Sequence, residues 1–169
     1  MDLTTHKDDG SKGFDLLPVG LYNVSIQEVK YGKSKSSANM MFTVNYSIIE
    51  GPDGAADPKK SKNRKLFEHF VTTVDFHMGN LYTLCIVCGV PEAAIKAIDQ
   101  NDNWKKLEGS VLKVRVSQEV RSDKKGEMTN KVEGGTYQSS AMKKEVPANI
   151  SAAANAAPPN AQAELPFAN

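Results

Sequence analysis

Lysine and arginine are unevenly spread along this chain, and their spacing is the clearest pointer to its chemistry. Lys30, Lys33 and Lys35 follow one alternating segment, while Lys59, Lys60, Lys62, Arg64 and Lys65 crowd the approach to another. Lys113 and Arg115 take alternate positions of a later segment, with Arg121, Lys124 and Lys125 just beyond it. Such clusters hold phosphates, because neutralising a row of them releases condensed counterions. Net charge is only +1, so local clustering has to supply the attraction. Charged loops are also ordinary solvated surface; the clusters weigh more together than singly. Single strands add base stacking on aromatic rings, about 1–3 kcal/mol per base. The aromatic candidates are Tyr31, Phe67, Phe70, Trp104 and Tyr137. Phe67 and Phe70, three positions apart, face opposite ways in a strand. Phe67 adjoins the basic run and is the one expected outside. Trp104 is expected to be a core anchor, the commoner role of a large ring.

The remaining reactive residue types do not assemble into a catalytic set. Cys85-Ile86-Val87-Cys88 has the spacing of a zinc or redox pair, but a structural zinc needs a second pair of ligands. The motif also falls within an apolar helical stretch, not at a helix start where a thiolate is stabilised. Buried free cysteine is the expectation. His69, Asp75 and His77 are near enough to be imagined around a metal, yet no general base or carboxylate cluster accompanies them. Glycine-rich phosphate loops are absent. The chain reads as a non-enzyme without metal or cofactor.

The elements that must position the basic residues are mostly strands. Residues 21–27 alternate Tyr22, Val24 and Ile26 with Asn23, Ser25 and Gln27, after the punctuation of Pro18 and Gly20. Met40, Phe42, Val44, Tyr46 and Ile48 form the apolar side of a second strand, closed by the turn residues 50–54. Residues 64–74 read as a third strand, rich in β-branched and aromatic side chains. Asp75 is placed to cap a helix running to Cys88, with Gly89 as its stop signal and Leu81, Leu84, Cys85 and Cys88 on one face, and Pro91 opens a second short helix. Alternation returns with Leu112, Val114 and Val116 inward and Lys113 and Arg115 outward. Residues 121–127 read as a hairpin loop, and 128–138 as a last strand broken at Gly134-Gly135.

Three strands, a helical insertion and two strands is the element order of an OB-fold, a five-stranded Greek-key barrel. The expected class is therefore mainly β, with helices between strands three and four. Oligonucleotides lie on such a barrel across strands two and three, between the loops joining strands one–two and four–five. That surface selects Tyr31, Lys33, Lys35, Lys60, Lys62, Arg64, Lys65, Phe67, Lys113, Arg115, Arg121, Lys124 and Lys125 as the expected contacts. The chain divides into a polar leader (1–17), this domain (18–140) and an Ala/Asn/Pro-rich tail (141–169) whose composition cannot bury a core. The polar start lacks a secretory signal, and no apolar run approaches the ~20 residues of a membrane span. A cytoplasmic protein is expected.

The tail ends in Glu164-Leu165-Pro166-Phe167, an acid followed by an apolar residue, a proline and an aromatic. This tip resembles that of bacterial and phage single-stranded DNA-binding proteins, whose OB-fold carries a disordered tail ending in an acidic-Ile-Pro-Phe motif. It departs from them in having one carboxylate, and in the Ala168 and Asn169 that follow Phe167. Residues 14–140, through LPVGLYNVSIQEVKYGKS, MMFTVNYSIIEG and RKLFEHFV followed by a helix with CGVP, resemble an uncharacterised phage family of replication and recombination cassettes. The resemblance implies a protein that coats and protects single-stranded DNA and recruits partners through Glu164, Leu165, Pro166 and Phe167. Self-association is compatible with it. The competing reading is a non-catalytic protein-interaction module without DNA binding.

Overall fold

The computed structural model describes residues 15–35, 37–121 and 126–142. Six strands form one antiparallel sheet: β1 (Gly20–Lys33), β2 (Met40–Glu50), β3 (Lys65–Val71), β4 (Val111–Val120), β5 (Met128–Val132) and β6 (Gln138–Ser139). Between β3 and β4 the chain forms α1 (Asp75–Val87), α2 (Glu92–Lys96) and a 3₁₀ helix (Asn103–Leu107). The mainly β class expected from the alternation is the class observed. Hydrogen bonding orders the strands β3-β2-β1-β4-β5, and β6 joins β4 beyond the Gly134-Gly135 break. Among the described residues no helix is long and apolar enough to cross a membrane.

β1 is the organising strand, and it is longer than the alternation of residues 21–27 suggests. Tyr22, Val24 and Ile26 are fully buried. The register then slips between Ile26 and Glu28, leaving Gln27 unmatched. A bulge of this kind bends a strand and changes which face each later residue takes. Val29 and Tyr31 thereby come to lie opposite Val44 and Phe42 on the core side. The bend also frees β1 from β4, whose last ladder partner is Ser25. The chain at 108–110 takes up the released groups: Glu108 Oε1 accepts from Val29 N at 3.0 Å, and Gly109 N donates to the Ile26 carbonyl at 2.8 Å. A bulge, not a loop, therefore sets the direction of Lys30, Tyr31 and Lys33.

The core lies under the sheet's inner face, where Tyr22, Phe42, Tyr46 and Phe70 meet Leu81, Leu84 and Cys85 of α1. Leu17, at the end of the expected leader, is also buried; its backbone is held by Asn130 and Gln118. Two element boundaries differ from the sequence expectation. β3 stops at Val71 because Thr72 turns the chain, bonding back to the Met40 carbonyl. Asp75 does not cap α1. Val74, in extended conformation, takes the cap position without a side-chain bond, and Asp75 is the first helical residue. It stands in the first turn, where an acidic residue suits the positive end of the helix dipole. Gly89 follows α1 with φ of +71°, the left-handed turn that ends many helices.

The two ends of the strand path, β3 and β5, approach each other. Glu68 on β3 accepts from Tyr137 at 2.7 Å through Oε1 and from Tyr46 at 2.8 Å through Oε2. The Gly134-Gly135 turn fits against the same place. A Cβ on Gly134 would collide with Asn80 Nδ2 and sit 3.0 Å from Glu68 Oε1. A side chain at this position would have to displace those of Asn80 and Glu68.

Candidate functional site

A cleft of about 1030 Å³ opens between the end of β1, the outward face of β2 and β3, and the 3₁₀ helix. Its aromatic wall is built by the bulge. Tyr31 stacks on the buried Phe42 with centroids 4.4 Å apart and planes inclined by 22°. Trp104 lies tilted beside Tyr31 at 5.3 Å and edge-on to Phe42 at 6.3 Å. Such pairs are worth about 0.5–1.5 kcal/mol beyond area burial, so the wall is rigid before any ligand arrives. The sequence offers Tyr31 as a stacking candidate beyond the alternation of residues 21–27. It is instead a half-buried strand residue with one face already occupied, because the slip at Gln27 turned it inward. Trp104 is both a core contact and a wall of the cleft.

Cations stand on the rim. Lys33 and Lys35 are exposed, line the cleft and make no ion pair among the described residues. Lys30 is paired with Glu28 at 3.1 Å and Lys105 with Asp102 at 2.6 Å; both pairs are exposed and weak. The floor includes Thr43 and His69, which share a hydrogen bond at 3.1 Å. Partial burial holds the His69 imidazole below its ordinary pKa. Neither Trp104, His69 nor Lys105 was among the expected contacts. The sequence offers His69 only beside Asp75 and His77 around an imagined metal, and its pairing with Thr43 depends on a ladder register that alternation does not fix.

Outward residues continue from the cleft along β2 and β3 in the ladder pairs Thr43–His69, Asn45–Phe67 and Ser47–Lys65. From Thr43 to Ser47 the row runs about 13 Å. Phe67 is 55% exposed while Phe70 is 1% exposed, the division expected from their spacing. Lys60, Lys62 and Arg64 lie in the β2–β3 connection, beyond the Lys65 end of this row and away from the cleft.

The other expected cations are engaged elsewhere. Lys113 is bound to Asp53 at 2.6 Å, and Arg115 lies 3.4 Å from Glu133. Arg121 lies 3.6 Å from Glu127 across the start of the β4–β5 connection. That connection leaves the sheet beyond the Gly20 end of β1, opposite the Lys33 end. Tyr31, Lys33 and Lys35 are thus gathered in one cleft with Phe67 on the adjoining row. Lys113, Arg115 and Arg121 are not brought to it. Lys124, Lys125 and the tip Glu164, Leu165, Pro166 and Phe167 lie outside the described residues.

The sulfur and imidazole groups are dispersed. Cys85 is buried and its thiol is pushed up to about 12 by that burial, which leaves it protonated and unreactive. His77 Nδ1 accepts from Val71 N at 3.1 Å, whereas His69 Nδ1 is hydrogen-bonded to Thr43. Among the described residues no three His, Cys, Asp or Glu side chains converge.

Fold and cleft together define a mainly β protein whose single sheet presents an aromatic-walled, lysine-rimmed groove. The chain belongs to a family described as a protein of unknown function (DUF669), which matches residues 3–159. No curated protein matches it.

Proposed function

We propose that this protein binds single-stranded DNA in the cleft beside Tyr31 and Trp104 and along the β2–β3 row, without catalysis. The observation that carries the proposal is the pairing of Lys33 and Lys35, which make no ion pair among the described residues, with a rigid aromatic wall. Unpaired lysines attract phosphates, and ring faces accept bases of any sequence. A duplex keeps its bases stacked inside and offers such a wall nothing to bind.

The strand path supports reading the sheet as an OB-type barrel. The order β3-β2-β1-β4-β5 is that of an OB barrel opened between its third and fifth strands, and β3 approaches β5 at that seam. The bulged first strand shared between two halves of the sheet, and helices between β3 and β4, fit the same architecture. On this reading the protein coats single strands during phage replication or recombination. The segment Glu164-Leu165-Pro166-Phe167 then serves as its docking tip for partner proteins.

The test is anisotropy of labelled single- and double-stranded oligonucleotides across a salt series. Preference for the single strand, weakening as salt rises, is expected. Equal binding to both forms, or none at low salt, would leave the interaction-module reading.

A further inference from the structure

Next to the main cleft, and sharing His69 as a wall, is a second hollow of about 290 Å³ between β3, the first turn of α1 and β5. Phe67 from β3 and Phe76 from α1 both line it. Phe76 is 70% exposed, the most exposed large apolar side chain among the described residues. Its ring lies 6.3 Å from His77 and makes no stacking contact with Phe67. Two open aromatic faces on the walls of one hollow are costly to leave in water at about 25 cal/mol per Å² of apolar surface.

We propose that this hollow is a second base-binding subsite, occupied by a nucleobase of the strand whose phosphates lie along the main cleft. This rests on the single-strand reading and extends it. The charge distribution separates the two hollows. Lys33 and Lys35 of the main cleft make no ion pair among the described residues, whereas Lys131, the one cation lining the second, is paired with Glu119 at 2.8 Å. The second hollow therefore has little pull on phosphate and offers ring faces instead. It also offers a hydrogen-bond donor. Val71 N donates to His77 Nδ1, which places the proton of the neutral imidazole on Nε2. The carbonyl oxygens and ring nitrogens of bases are acceptors suited to it. The shared His69 lets a strand pass from one hollow to the other without leaving the surface.

The experiment compares dT oligomers of about 4 and about 16 nucleotides, by anisotropy, on the full chain and on Phe76→Ala, Phe76→Tyr and Phe76→Leu. Phe76→Ala should weaken the long oligomer by about 5- to 150-fold, the value of one stacked base. It should leave the short one, which the main cleft satisfies, nearly unchanged. Phe76→Tyr should restore binding and Phe76→Leu should not, since leucine keeps apolar area but has no ring face. If the unaltered chain binds the long oligomer and Phe76→Ala binds it equally well, the subsite is wrong and the main-cleft reading stands. If the unaltered chain binds neither length, both fail. Equal rescue by leucine and tyrosine, or a change in sedimentation for Phe76→Ala, would overturn the subsite in favour of a protein contact.

Discussion

Tyr137 donates its hydroxyl to Glu68 Oε1 at 2.7 Å across 69 residues of sequence, and Tyr46 donates to the other oxygen of the same carboxylate. One side chain thus ties β3 to the core strand β2 and to the chain between β5 and β6. The Glu68 pKa is raised by burial, against the lowering effect of the two hydroxyls and of Lys131. Both phenols are raised, by burial first and by the facing carboxylate.

A raised carboxyl makes the folded state the stronger proton binder. Between the ordinary glutamate value and that of the folded state, stability therefore falls as pH rises. Urea unfolding over this range should show that slope for the unaltered chain, and Glu68→Gln should flatten it. An unchanged slope would place the carboxyl outside the latch. Tyr137→Phe should cost about 1–3 kcal/mol, the penalty of leaving a buried acceptor without its donor.

Lys33 and Lys35 should act through phosphate. Replacing both with alanine should lower the slope of log affinity against log salt by about 1.4, at roughly 0.7 per single-strand contact. Lys113→Ala, which breaks only the Asp53 pair, should leave that slope in place. The same salt titration reads both variants. A loss at Lys113 equal to that at Lys33 and Lys35 would move the path to β4.

Gly51 carries φ of +135°, and an added Cβ would lie 2.7 Å from the Tyr22 ring. Gly51→Ala should lower stability by about 1–3 kcal/mol, seen as an earlier urea midpoint. An unshifted midpoint would mean that this turn adapts at no cost.

The elements were legible wherever alternation was clean. Leu112, Val114 and Val116 against Lys113 and Arg115 gave β4 its faces, and Gly134-Gly135 announced the break after β5. The cleft was legible only in part, for physical reasons. One unmatched residue, Gln27, reverses the facing of everything after it in β1, so the alternation of residues 21–27 does not foretell that Tyr31 turns inward. Charge clustering marks where cations are but not which carboxylate reaches them: Asp53 and Glu133 come from other segments of the chain, and Glu127 from the far end of the loop that Arg121 opens. Thr43 and His69 became neighbours through a ladder register that alternation leaves free by steps of two.

The most direct measurement uses Trp104, the one tryptophan of the chain. Its fluorescence should be quenched saturably by a dT oligomer of about 16 nucleotides, with much less effect from a duplex of the same length, and salt should reverse the change. An emission that stays constant at low salt, while the oligomer is shown by anisotropy to be free, would contradict single-strand binding in this cleft.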